Sequence, residues 1–309
     1  MAMNRKDSAL ETSTVECLPN ELLGAICDLL PNSDIKNFRL ASPLLGQKCR
    51  LQISRVFISA DPLNIYVAHA IATHEVYRMG VEEIIWDDAT LVPSGGDGDL
   101  FQQYSDENDE EVPEEVAAEA QERFAWFDSF EYYNLLERQQ REIIASKTYE
   151  DIFRYILRQF PNLKRVVVTP AAHGYLFEPL YTTPMIGSFP YGFIYPIPQG
   201  WPRPLHGHPW AVVLRWDGDD AVEEDKSLWH GFRIVTKVLA EGKHNITELI
   251  LNAHQLNTGI NHFALNRGTE EYNNFCDIVR RSGFQKLHLS LLVGFYLDEE
   301  FKIYGKGYL

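Results

Sequence analysis

The chain has few cysteines, few basic residues and no long apolar run. Its four cysteines, Cys17, Cys27, Cys49 and Cys276, show no paired spacing, so we expect reduced thiols and a cytoplasmic or nuclear location. Lys and Arg number 28 against 44 Asp and Glu, giving a net charge of −16. This charge argues against a nucleic-acid partner and against an anionic membrane. No segment approaches the length of a transmembrane helix, and residues 1–16 lack a signal-peptide core.

Motifs that would mark an enzyme or a metal site are also sparse. Ser33-Asp34-Ile35-Lys36 matches the S-x-x-K of a serine nucleophile, but its companion motifs are missing, and Ser33 is better placed as a helix cap. His206 and His208 lack a third metal ligand at a recognisable spacing, and so do His254 and His262. Neither glycine-rich nucleotide-binding motif occurs, and four cysteines are too few for a RING zinc module. We therefore predict no catalytic residue, no metal and no cofactor.

A helix followed by a short apolar strand recurs along the chain. The pattern predicts a first strand over 53–59. It then predicts four helices, each followed by a strand: helix 62–79 and strand 81–86, helix 149–160 and strand 163–168, helix 228–240 and strand 246–251, and helix 272–281 and strand 286–292. Amphipathic helices that alternate with short apolar strands are typical of parallel βα units. Their recurrence predicts an irregular α/β solenoid of leucine-rich-repeat type, although the spacing is uneven and no full consensus repeat occurs. A compact α/β domain with a mostly parallel sheet is the alternative.

Two long insertions interrupt this pattern. Residues 93–122 form the first, in which eleven acids occur without a Lys or Arg; we predict a solvated loop, with an acidic arm for basic partners as the alternative. Aromatic residues over 124–133 then predict a helix that docks on the core. Residues 170–225 form the second insertion and hold nine of the sixteen prolines, interleaved with Tyr, Phe and Trp. We predict a structured excursion over the repeat, which is also a candidate recognition surface.

The N-terminal region carries the most specific pattern. Leu18-Pro19-Asn20-Glu21-Leu22-Leu23 opens a short helix, and Pro19 fits its first turn. Leu22, Ile26, Leu29 and Leu30 share one face of that helix. Pro31 and Pro43 separate it from two further short helical segments. Three small helices bury little surface alone, so such a unit completes its core on a partner or on the following domain.

This pattern over residues 16–57 resembles an F-box, the adaptor-binding module of SCF-type ubiquitin ligases. Segments 55–59, 84–89 and 229–233 also look like phrases of fungal F-box proteins of poorly defined function. The resemblance implies a flexible N-terminus over 1–15, an F-box over 16–57 and a substrate-receptor domain over 58–309. It also implies docking on a Skp-type adaptor and, through it, on a cullin. The adaptor-binding positions that it implies are Leu18, Pro19, Leu22, Leu23, Ile26, Leu29 and Leu40.

Three hypotheses for function follow. The first is a non-catalytic receptor that holds a target protein near the ligase and so raises the local concentration of target lysines. A scaffold that works independently of any ligase, through the proline-rich and aromatic surface, is the second. The third is a hydrolase that uses His and Asp residues at strand ends. Asp87-Asp88 follows a strand and is a candidate carboxylate pair for that hydrolase, although Asp at a strand end is also an ordinary turn residue.

Overall fold

A computed structural model of the chain describes residues 15–93, 126–198, 200–202, 216 and 223–293. The chain divides into two compact units, Met1–Ile53 and Ser54–Leu309, and each is described by itself. The predicted flexible N-terminus, apart from Val15, and the predicted acidic loop, apart from Pro93, lie outside the described residues.

The first unit contains three short helices separated at prolines. Helix α1 spans Asn20–Cys27, α2 spans Asn32–Ala41 and α3 spans Pro43–Lys48. Pro19 precedes α1, where an N–H would have no partner within the helix. Pro43 is the first residue of α3, and the Ser42 hydroxyl caps this helix by accepting the N–H of Leu44 at 3.2 Å.

Ser33 does not cap α2, so that prediction is wrong. The helix begins one residue earlier, at Asn32, and Pro31 holds the cap position without a side-chain hydrogen bond. The Asn32 side chain instead binds the backbone of Gln52, accepting its N–H at 2.8 Å and donating to its carbonyl oxygen at 2.6 Å. A long-range pair of hydrogen bonds therefore positions the start of α2, and Ser33 is left exposed.

The first unit has a small hydrophobic core of its own. Its buried members are Leu23, Cys27, Ile35, Leu45 and Cys49, and Val15, Leu18, Leu30, Phe38 and Leu51 pack around them. Burial, a hydrogen bond to the Cys49 thiol and nearby negative charge raise the pKa of the Cys27 thiol to about 11. This cysteine is therefore a packed thiol rather than a reactive thiolate.

Five short strands of the second unit form one parallel sheet. They are β1 (Arg55–Ile58), β2 (Glu83–Asp87), β3 (Arg165–Thr169), β4 (Glu248–Leu251) and β6 (Lys286–Leu289), and they lie side by side in chain order. Two further strands, β5 (Ile260–Asn261) and β7 (Leu291–Leu292), form a separate parallel pair. The predicted mixed α/β fold with a parallel sheet is confirmed.

Helices connect these strands. They are α4 (Pro62–Thr73), α5 (Trp126–Ser146), α6 (Thr148–Gln159), α7 (Pro184–Gly187), α8 (Glu223–Lys226), α9 (His230–Glu241) and α10 (Glu270–Val279). Helix α4 packs on α6, α6 on α9 and α9 on α10, so these four helices follow one another in the same order as the strands. The helix predicted over 62–79 ends at Thr73 and resumes only as a 3-10 turn at Tyr77–Met79.

A row of alternating charges crosses the start of the sheet. The residues that lead the five strands and lie in register are Arg55, Glu83, Arg165, Glu248 and Lys286. Ion pairs join each neighbour to the next, such as Arg165 Nε to Glu248 Oε2 at 2.9 Å. Individual exposed pairs stabilise little, but a one-residue slip of any strand would break its pairs and turn its apolar side chains to the wrong face.

Helix α5 and the first part of the second insertion share a second hydrophobic core. Its buried members are Leu91, Tyr133, Leu136, Leu176, Met185, Phe193, Tyr195 and Ile197. The rings of Phe189, Phe193 and Tyr195 lie 4.8–5.1 Å apart between centroids, within the range of favourable aromatic contacts. The described part of the insertion thus contributes buried residues to a hydrophobic core.

Candidate functional site

Large apolar side chains remain exposed on the first unit although that unit has a core. Leu29 is 87 % exposed and Leu40 is 84 % exposed, while Leu22, Ile26 and Leu44 are exposed to a smaller extent. Leu22 and Ile26 are four residues apart on α1 and therefore lie on the same side of the helix. These side chains therefore lie on the surface of the unit and not in its core.

The structure separates the predicted adaptor-binding residues into two groups. Leu23 is fully buried in the core of the unit and Leu18 is partly buried against that core, so both support the fold of the unit itself. The exposed group consists of Pro19, Leu22, Ile26, Leu29 and Leu40. Neighbouring residues on a helix point about 100° apart, which explains why Leu22 and Leu23 have different surroundings.

A buried carboxylate lies at the carboxyl end of β2 in the second unit. Asp88 has no exposed surface, and its two oxygens are close to four donors from distant parts of the chain. Oδ2 accepts the indole N–H of Trp201 at 2.8 Å, and Oδ1 accepts the backbone N–H of Gly231 at 2.8 Å. His230 Nε2 lies 3.2 Å from Oδ1, and the backbone N–H of Phe232 is close enough to favour the charged carboxylate.

Asp88 therefore caps the first turn of α9 from another part of the chain. A carboxylate at this position satisfies N–H groups that have no partner within the helix and interacts favourably with the helix dipole. Burial raises the pKa of Asp88, while His230, Trp201 and the two backbone N–H groups oppose that rise. At Gly231 a side chain is excluded, because a Cβ there would lie 2.3 Å from Asp88 Oδ1.

Asp87 belongs to a second buried polar group at the same edge of the sheet. Its Oδ1 accepts the N–H of Ala89 at 3.0 Å, which is the local turn contact expected of an Asp at a strand end. His173 Nε2 lies 3.7 Å from Oδ2, and His173 Nδ1 lies 3.0 Å from the Tyr195 hydroxyl. Burial raises the pKa of Asp87 to about 8, with Asp88 and Asp61 adding to the rise. Burial also lowers the pKa of His173 to about 3, so both groups are neutral at pH 7.

These two carboxyl groups hold segments of the second unit together rather than facing a substrate. Asp87 is 2 % exposed, Asp88 is fully buried and His173 is 2 % exposed, so a reactant would have no access to them in this arrangement. The sequence marks the Asp pair at the end of a strand, but it does not mark its partners His173, Trp201 and His230. Nothing in the local sequence marks those partners, since Trp201 is 113 residues from Asp88.

The second insertion exposes a set of aromatic residues beside its buried ones. Tyr175 and Tyr191 are more than half exposed, and Phe177 is partly exposed. Phe177 has a φ of +63°, a left-handed conformation that is strained for a bulky residue. Tyr181, further along, packs its ring 5.9 Å from that of Phe57 on the sheet, measured between centroids. The insertion thus presents aromatic side chains from an anchored segment.

His254 and His262, which the sequence spaces eight residues apart, have separate hydrogen-bond partners. His254 Nδ1 lies 3.4 Å from Asn252 Nδ2, whereas His262 Nδ1 faces the carbonyl oxygen of Leu292 at 3.2 Å. Over the described residues, no three His, Cys, Asp or Glu side chains are grouped so that they could hold a metal ion. His206 and His208 lie outside those residues. Among the helices that the structure describes, none is both long and apolar enough to cross a membrane.

Comparisons with known proteins add no information to these geometric observations. No family model matches the chain, and neither the search of curated proteins nor the search of solved structures gave a significant match.

Proposed function

We propose that the first unit is an F-box and that the chain is a non-catalytic substrate-receptor subunit of an SCF-type ubiquitin ligase. The observation that carries the proposal is the exposure of Leu22, Ile26, Leu29 and Leu40 on a three-helix unit that already has its own core. Covering such side chains with a partner surface is favourable in free energy. In this proposal the partner is a Skp-type adaptor, which links the chain to a cullin in the cytoplasm or nucleus.

The second unit is the target-binding half of this proposal. Its strands follow one another in chain order, and its helices follow the same order. This arrangement supports an irregular leucine-rich-repeat-like solenoid in preference to a sheet with rearranged strand order. The exposed aromatic residues Tyr175, Phe177 and Tyr191 are the proposed contacts for the target, because aromatic side chains on an anchored segment lose little entropy on binding. The unit acts by holding the target rather than by chemistry.

The adaptor contact is tested by measuring binding of the full chain to purified Skp-type adaptor. We expect Leu22→Asp and Leu29→Asp each to weaken binding by about 30-fold or more, the equivalent of about 2 kcal/mol at an interface hot spot. Asn20→Asp is the matched control, since it adds the same charge to α1 about 200° around the helix from Leu22. All variants should keep the circular dichroism of the wild type.

Three outcomes discriminate between the hypotheses. Loss of binding in the two leucine variants, but not in Asn20→Asp, supports the F-box assignment. With purified cullin added to the same assay, capture of adaptor without cullin favours the ligase-independent scaffold. If the folded wild-type chain captures no adaptor, the exposed leucines serve another contact and the receptor function is wrong.

The target-binding surface has a separate test. A photo-crosslinking residue at Tyr175 should capture proteins whose ubiquitylation is lost in the Leu22→Asp variant. A crosslinker at Tyr66 on α4, which is also highly exposed, is the control. Equal capture from both positions would contradict the assignment of the target surface to the second insertion.

A further inference from the structure

A cleft lies at the amino-terminal edge of the sheet, opposite the edge that holds Asp87 and Asp88. Its volume is about 750 Å³, and its walls are the end of α6, the end of α9 and the loops that lead into β3, β4 and β6. Within the part of the chain that the structure describes, the hydrogen bonds that hold Asp88 and the second insertion do not involve this cleft. It is therefore available for a ligand independently of the proposed receptor function.

The cleft combines an apolar floor with a cationic rim. Phe160, Leu163 and Ile246 form the floor and are nearly fully buried. Arg158, Lys243 and Arg281 bring three positive charges to the walls. A concave site with an apolar base and a few convergent polar groups is the usual form of a small-ligand site.

The positive charges of the rim are only partly compensated. Arg281 donates to the carbonyl oxygens of Gly242 and Ala240 at the end of α9, where the helix dipole supplies partial negative charge. The one acidic residue of the lining, Glu241, is already paired with Arg154 at 2.8 Å. Arg158 and Lys243 are exposed and form no ion pair within the residues that the structure describes.

We propose that this cleft binds a phosphate monoester that carries an apolar group. The phosphate lies between Arg158 and Lys243, and the apolar group lies on Phe160 and Ile246. A phosphate monoester carries a charge of about −1.5 to −2 at pH 7, which matches two free cations better than a carboxylate does. Arg158 supplies the planar donor fork suited to phosphate, and Lys243 supplies a point charge.

His244 provides a reporter inside the cleft. Its Nδ1 accepts the N–H of Ile246 at 3.1 Å, while Nε2 lies 2.9 Å from both the carbonyl oxygen of Leu239 and Nη1 of Arg281. Burial and the charge of Arg281 lower the pKa of His244. An anion bound nearby favours the protonated ring, so binding should raise this pKa.

The test is an NMR titration of the His244 ring in the full chain with phenyl phosphate, benzoate and phenol as probes. We expect saturable binding of phenyl phosphate with a rise in the His244 pKa, at least fivefold weaker binding of benzoate, and no binding of phenol. The double variant Arg158→Gln/Lys243→Gln should weaken phenyl phosphate binding at least tenfold. The control Arg138→Gln/Lys237→Gln removes the same two charges outside the cleft and should leave binding unchanged.

Each result decides the proposal. Absence of saturable binding, equal weakening by both double variants, or benzoate binding as tight as phenyl phosphate would overturn it. A peptide that contains phosphotyrosine tests whether the phosphate monoester belongs to a protein or to a small molecule. The unphosphorylated peptide is the control. Tighter binding of the phosphopeptide than of phenyl phosphate indicates a protein ligand, and equal binding indicates a small molecule; both results support the site.

Discussion

Replacing Asp87 with Asn should change how the stability of the second unit depends on pH. The pKa of Asp87 is about 8 in the folded chain, against about 3.9 for Asp in an unfolded chain. Between these values the folded state holds a proton that the unfolded state has lost, so stability falls as pH rises. The slope is about 1.4 kcal/mol per pH unit, which gives a total on the order of 5 kcal/mol across the window.

The buried His173 acts in the opposite direction and sets the pH range of the experiment. Its pKa is about 3 in the folded chain and about 6.5 when unfolded. Its contribution to stability is therefore complete above pH 6.5 and is lost as pH falls toward 3. Between pH 6.5 and pH 8 only Asp87 of this pair changes stability, and the expected loss is about 2 kcal/mol.

Asn is a neutral stand-in for the protonated Asp87, because its side-chain oxygen can still accept the N–H of Ala89. We expect wild type to lose about 2 kcal/mol relative to Asp87→Asn between pH 6.5 and pH 8. Urea unfolding followed by tryptophan fluorescence measures this difference. All six tryptophans lie between residues 86 and 229, so the signal reports on the second unit alone.

Asp128→Asn serves as the control, since Asp128 is an exposed carboxylate on α5 and its replacement should leave the pH dependence of wild type unchanged. If wild type and Asp87→Asn lose stability in parallel from pH 6.5 to pH 8, Asp87 is ionised in the folded chain. In that case burial does not raise the pKa of Asp87 above the pH range of the experiment.

Three further substitutions test the packing. Asp88→Ala leaves the Trp201 indole and the first turn of α9 without an acceptor, and should lower the unfolding free energy by about 3 kcal/mol or more in the same fluorescence assay. A Gly to Ala change within a helix normally stabilises it by about 1 kcal/mol, but the Cβ of Gly231→Ala would lie 2.1 Å from Trp86 Nε1. We therefore expect this variant to unfold at a lower urea concentration than wild type. A higher urea midpoint would show that the contact relaxes freely. Leu23→Ala should destabilise the first unit by about 2–5 kcal/mol, seen as an earlier loss of helical circular dichroism.

Local pattern was enough to find the repeating elements of the second unit. The strands predicted over 81–86 and 163–168 appear as β2 and β3, shifted by one to two residues, because short apolar runs between amphipathic helices are a local signal. The pattern could not predict the end of α4 at Thr73, since the apolar positions continue beyond it. Nor did it reveal the alternating charges that lead the strands, which become a row only when the strands pair.

The division of the N-terminal leucines depended on tertiary structure. The sequence shows that Leu22, Leu23, Ile26 and Leu29 are apolar and helical in spacing, but it does not show which of them face the interior. That choice depends on where α2 and α3 lie, since Ile35 and Leu45 complete the core around Leu23. The exposure of Leu29 and Leu40, on which the proposed adaptor contact depends, is therefore a result of packing.

The sequence by itself determined the α/β class and the three short N-terminal helices, because periodicity and prolines act over a few residues. Only the tertiary structure decided that Asp88 caps α9, that Asp87 and His173 are buried together, and that Arg158 and Lys243 line one cleft. The residues concerned are far apart in the sequence: Asp88 is 113 positions from Trp201 and 143 positions from Gly231. Chain folding sets such distances, and no local pattern encodes them.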